Sequence, residues 1–115
     1  MAASTIDLAV FKELQATAGA EFVGELVNTF LEEAPVMLGD LQKALAAGDA
    51  DKFRRAAHSL KSNSNTFGAL GLGAMARDLE LGGLARAKES GPKPLEAITQ
   101  EYSRVAAALA ELRNA

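Results

Sequence analysis

The chain has 115 residues, no cysteine, one histidine and a formal charge of −3. That length suits one hydrophobic core and is too short for a nucleotide-binding lobe joined to a substrate lobe, while the lack of cysteine removes disulfides, thiolate metal sites and cysteine nucleophiles. Twelve basic against fifteen acidic residues leave no strong positive field, so neither nucleic acid nor a membrane surface is an expected partner, and with no leader-like or membrane-spanning run the chain is expected to be cytoplasmic.

A short first helix is expected over about 7–18. Leu8, Phe11, Leu14 and Gln15 follow three-four spacing, and Asp7 is placed to accept from the first free N–H groups. A second periodic run carries Phe22, Leu26, Val27, Phe30, Leu31, Met37, Leu38, Leu41 and Leu45, and stops at Gly48 with Asp49 ready to cap the next helix. Pro35 interrupts that run by removing a donor and crowding the preceding turn. Because the apolar spacing resumes at once, one kinked helix is expected rather than two.

The third run places Phe53, Ala57, Leu60, Ser64 and Phe67 on one stripe before Gly68. A fourth runs from Leu70 to Ala87 and is weakened by Gly82 and Gly83. Residues 90–94, with two prolines, read as a loop. The last helix carries Leu95, Ile98, Tyr102, Val105, Ala106, Leu109 and Leu112. No segment alternates with period two for long enough to make a strand. The expected fold is all-α: an antiparallel four-helix bundle over 20–115 behind a short N-terminal helix, in one domain over 1–115.

His58 is the one histidine. At about 100° per residue with Phe53 at zero, the apolar stripe lies within roughly 40° of that direction and His58 falls near 140°. It therefore projects from the polar side of the third helix, at mid-length. Arg54, Lys61, Ser62 and Asn65 share that side through three-four spacing. Basic neighbours suit a phosphoryl group and oppose protonation of the imidazole, keeping a ring nitrogen free as nucleophile. Spacing alone favours an ordinary exposed histidine. A metal site is disfavoured, because one histidine without a Glu-x-x-His pattern cannot assemble a bundle's carboxylate-histidine set.

The segment from Ala57 to Ala69, AHSLKSNSNTFGA, resembles the signature of histidine phosphotransfer domains, which typically read Ala-His-x-Leu-Lys-Gly-Ser-Ser with Gly-Ala a few residues later. The likeness extends to Phe30-Leu31-Glu32-Glu33-Ala34-Pro35, to the Gly48-Asp49 turn and to Leu79-Glu80. It implies a bundle whose exposed histidine takes a phosphoryl group from an aspartyl phosphate on a receiver domain and relays it to another response regulator. His58 matches the phosphoacceptor, Lys61 the lysine beside the phosphoryl group, and Gly68 and Ala69 the helix-end turn. Ser62 departs from the usual glycine, and Asn63 from the usual serine.

On this resemblance the chain is a phosphocarrier rather than a self-contained enzyme, with no ATP-dependent kinase activity of its own, since no phosphate-binding glycine loop occurs. The implied partners are response-regulator receiver domains and a hybrid sensor histidine kinase. No cofactor is expected on this chain; Mg2+ is expected on the receiver. A monomer is expected. Docking candidates are Arg54, Ser62 and Asn65 around the histidine, with Met37, Leu38 and Met75 on neighbouring helices, although for each of these three a place in the core is the better reading. Two alternatives stand beside this reading: a helical interaction module with an incidental histidine, and a phosphotransfer domain loaded directly by a chemotaxis-type kinase.

Overall fold

A computed structural model of the chain describes residues 5–114. Those residues form five helices and no strand: α1 (Leu8–Ala18), α2 (Ala20–Ala47), α3 (Ala50–Thr66), α4 (Leu70–Ser90) and α5 (Lys93–Asn114). The 28-residue α2 spans about 42 Å at 1.5 Å per residue, and the molecule's longest dimension is 41 Å. One helix thus sets the length of the bundle. The others pack along it, with α3 and α4 in the most extensive contact.

Helix ends follow from single residues. Asp7 Oδ1 accepts from Ala9 N at 3.0 Å and Val10 N at 3.3 Å, and Asp49 Oδ1 accepts from Lys52 N at 3.0 Å. Each satisfies a donor the helix leaves free. Gly48 ends α2 in the left-handed region at φ 72°. Pro35 lies inside a continuous α2, as the resumed spacing predicts, and its pyrrolidine faces solvent.

Gly68 turns the chain between α3 and α4 with φ +84°, and a Cβ there would stand 2.7 Å from the Asp7 carbonyl oxygen. The same glycine's carbonyl accepts from Asp7 N at 2.8 Å. The start of α1 is thereby fastened to the end of α3, and Ile6 and Phe11 bury themselves there at 0% and 2% exposure. A side chain at position 68 would collide with the Asp7 backbone.

The stripe of α3 is the heart of the core: Phe53, Ala57, Leu60 and Ser64, continued by Phe67 at the helix's C-cap, are all buried. Phe67 meets Phe30 of α2 with ring centroids 5.3 Å apart, and Phe30 meets Tyr102 of α5 at 6.0 Å. Tyr102 donates its hydroxyl to the Leu31 carbonyl at 3.3 Å, and partial burial pushes its phenol above the usual tyrosine value.

Four expectations are corrected. Phe22 and Leu8 are exposed, because each lies on the solvent side of its helix. Helix α4 runs on to Ser90 instead of stopping at Ala87, and α5 begins at Lys93. The loop over 90–94 therefore shrinks to Gly91 and Pro92, since proline is tolerated in a helix's first turn, where its missing N–H has no partner to lose. Within α4 the glycine pair does more than weaken the helix: Gly83, at φ 73° and ψ −177°, breaks it. Leu38, a docking candidate, is buried at 7% exposure and belongs to the core, three residues beyond Pro35 on the inward face of α2.

Candidate functional site

The inward stripe of α3 fixes which of its side chains face out. His58 projects from mid-helix with 56% of its side chain exposed. Its ring is nonetheless held. Nδ1 lies 2.8 Å from Glu80 Oε2 on α4, and the other carboxylate oxygen, Oε1, lies 2.8 Å from Lys61 Nζ. One carboxylate thus bridges the histidine and the lysine one turn further along α3.

Glu80 is well placed to do this, with only 16% of its side chain exposed and its Oε1 shielded from solvent. The Lys61 ammonium first, and the His58 ring second, hold the Glu80 carboxyl below the usual carboxylate range, against the partial burial that pushes it up. An ionised carboxylate only accepts hydrogen bonds. The network therefore assigns the proton of a neutral ring to Nδ1 and leaves the Nε2 lone pair without a hydrogen bond among the described residues.

The surroundings differ from the cationic face that spacing suggests. Arg54 turns to Asp51, 3.2 Å away, and Lys61, 25% exposed, is paired with Glu80. The ionised group nearest the ring is a carboxylate. Glu80 was legible only as part of the Leu79-Glu80 likeness; nothing within the chain's local spacing points across 22 positions to His58. Among the described residues no group of three or more His, Cys, Asp or Glu can hold a metal ion.

The other predicted residues divide. Ser62 is exposed one turn beyond His58. Asn65 reaches across to α4, where its Oδ1 lies against the bare backbone of Gly73, in space a Cβ would occupy. Met37, half-buried on α2, lines two neighbouring clefts between α2 and α3: one with Ala56 and Ser59, the other with Asn63 and Thr66. Met75 is half-buried against the core and stands about 140° around α4 from Glu80, away from the histidine. It does not join the site. Asn63 donates to the Ser59 carbonyl at 2.8 Å and borders the second of those clefts.

The site is thus an exposed imidazole, oriented through Nδ1 by a carboxylate that also pairs with a lysine, on the outer face of a helical bundle. The model of the Hpt domain family matches residues 25–115. The chain belongs to the Hpt family. In structure this Hpt chain is similar to histidine-containing phosphotransfer protein B (HptB) from Pseudomonas aeruginosa PAO1, with a TM-score of 0.85, 30% identity, and 96% of this chain and 95% of that one covered. No curated protein matches the chain in sequence. Its function is histidine phosphotransfer in phosphorelay signalling, and its architecture is the helical bundle of that family with an additional N-terminal helix. No helix of the described residues is long and apolar enough to cross a membrane.

Proposed function

We propose that His58 is the phosphoacceptor, that the group is carried on Nε2, and that donor and acceptor are aspartates of receiver domains. The observation that supports this most is the 2.8 Å contact between Nδ1 and Glu80 on a ring that is otherwise open to solvent. The Nε2 lone pair attacks phosphorus, the bond from phosphorus to the aspartyl oxygen breaks, and its electron pair stays on the carboxylate. The ring, still protonated at Nδ1, gains positive charge beside Glu80, whose carboxylate stabilises that charge until the proton leaves to solvent. Attack by an exposed, oriented nitrogen fits a loose, in-line transfer in which positioning and charge supply most of the catalysis.

The receiver brings Mg2+ and most of the catalytic groups, while Lys61 offers positive charge at the phosphoryl group. Turning Nδ1 toward α4 directs Nε2 away from α4. The receiver accordingly docks over α3 and the α2 side, with Met37 as the apolar contact shared by the two clefts there and Ser62 under its closest approach. In this reading the chain is a carrier serving receiver domains and a sensor histidine kinase, in one domain and as a monomer.

Incubation with a phosphorylated receiver tests the assignment. Acid-labile, base-stable label is expected on the wild type and absent from His58→Gln. Label of undiminished amount on His58→Gln overturns it.

A further inference from the structure

Ser62 is the exposed hydroxyl nearest His58 along its helix face, four residues on, so the two side chains are neighbours with Cβ atoms about 5–6 Å apart. Helical side chains lean toward the helix N-terminus, which directs the Ser62 hydroxyl back over the turn that carries His58. Two other polar side chains on this part of α3 are committed to carbonyls one turn back: Asn63 to Ser59 at 2.8 Å and Thr66 to Ser62 at 3.0 Å. Ser62 makes no such bond among the described residues and keeps its donor.

The orientation of the ring decides which neighbour its reactive nitrogen meets. Viewed down α3 at about 100° per residue, His58 lies between Lys61, about 60° to one side, and Ser62, about 40° to the other. Lys61 is on the α4 side, where it pairs with Glu80. Nδ1 is turned to that same side by Glu80. Nε2 is therefore turned toward Ser62.

We infer that the Ser62 hydroxyl donates a hydrogen bond to a phosphoryl oxygen carried on His58 Nε2, opposite Lys61, and lengthens the life of the phosphohistidine. The inference rests on His58 being the acceptor. Its physical basis is that the non-bridging oxygens carry more charge in the bound phosphoryl group than in a loose, metaphosphate-like transition state, so a donor to them holds the ground state more strongly. A hydroxyl at this position slows spontaneous loss of the group to water.

The test needs no partner protein. Phosphoramidate loads the histidine directly: its P–N bond breaks, ammonia leaves, Nε2 forms the new bond, and the ring's surplus proton goes to solvent. The decay of the label is then followed by phosphorus NMR in wild type, Ser62→Ala and Ser62→Thr. A hydrogen bond of ordinary net strength corresponds to a decay about two- to tenfold faster in Ser62→Ala, with Ser62→Thr close to wild type and the phosphorus resonance displaced only in Ser62→Ala. Equal lifetimes in wild type and Ser62→Ala overturn this inference alone, as do equally short lifetimes in Ser62→Ala and Ser62→Thr. Absence of label at His58 in the wild type overturns the acceptor assignment and this inference with it.

Discussion

Glu80 touches both chemically distinctive side chains of α3, its Oε2 lying 2.8 Å from His58 Nδ1 and its Oε1 2.8 Å from Lys61 Nζ. Removing it frees the ring to rotate and to place its proton on either nitrogen. Glu80→Ala is expected to lower the rate of transfer from a phosphorylated receiver by about ten- to a hundredfold, the usual loss when an orienting partner goes. Glu80→Gln keeps an acceptor for Nδ1–H and should recover much of that loss. Rapid-quench measurement of label on His58 checks both, and equal rates in Glu80→Ala and wild type would show that the contact does not position the ring.

The same carboxylate links acidity to stability. Its pKa in the folded chain is lowered, chiefly by Lys61. A depressed carboxylate contributes stability that is fully present above its unfolded value and is lost as pH falls through its folded value. The stability difference between wild type and Glu80→Gln should therefore narrow on acidification below the usual carboxylate range. Lys61→Ala, by removing the largest cause, should let the Glu80 carboxyl titrate closer to its ordinary value. Carbon-13 NMR of the Glu80 carboxyl reads this directly, and an unmoved midpoint would contradict the assigned cause.

Ser64 sits at 0% exposure in the stripe of α3, and its hydroxyl has no hydrogen-bond partner among the described residues. An unsatisfied buried hydroxyl costs about 1–3 kcal/mol, and alanine is also the better helix former. Ser64→Ala is expected to raise stability by about 1 kcal/mol in urea unfolding, with the slope of the transition unchanged. A loss of stability would mean that the hydroxyl finds a partner in solution.

Most of the fold could be read from the chain because its signals are local. Asp7, Gly48, Asp49 and Gly68 each mark a helix end through their own backbone chemistry, and the five stripe residues of α3 repeat within 15 positions. His58 was legible for the same reason, as the residue left facing out once the stripe faces in. Glu80 was not, because its role depends on how α4 lies against α3 and on burial that leaves it 16% exposed. Leu38 and Met37 show the same limit at finer scale: adjacent in sequence and alike in chemistry, they differ by one step of about 100° around α2, which puts one in the core and the other at the cleft. The break at Gly83 was visible only as a weak helix, since a glycine pair lowers propensity without saying what backbone angles the packing will impose.

Met37 offers the sharpest separation of docking from chemistry. It lines both clefts between α2 and α3 but makes no polar contact with His58, Lys61 or Glu80. A charge placed there should disturb a receiver seated over the clefts and leave the nucleophile intact. Met37→Asp is expected to slow transfer from a phosphorylated receiver by about tenfold or more, as losing one well-packed apolar contact to a buried charge costs at least about 1.4 kcal/mol. Loading of the same variant by phosphoramidate should match wild type, because that small donor needs only Nε2. A variant slowed equally with both donors would place the defect in the folding of the bundle, whereas one slowed with neither would move the receiver off the α2 side and toward α4.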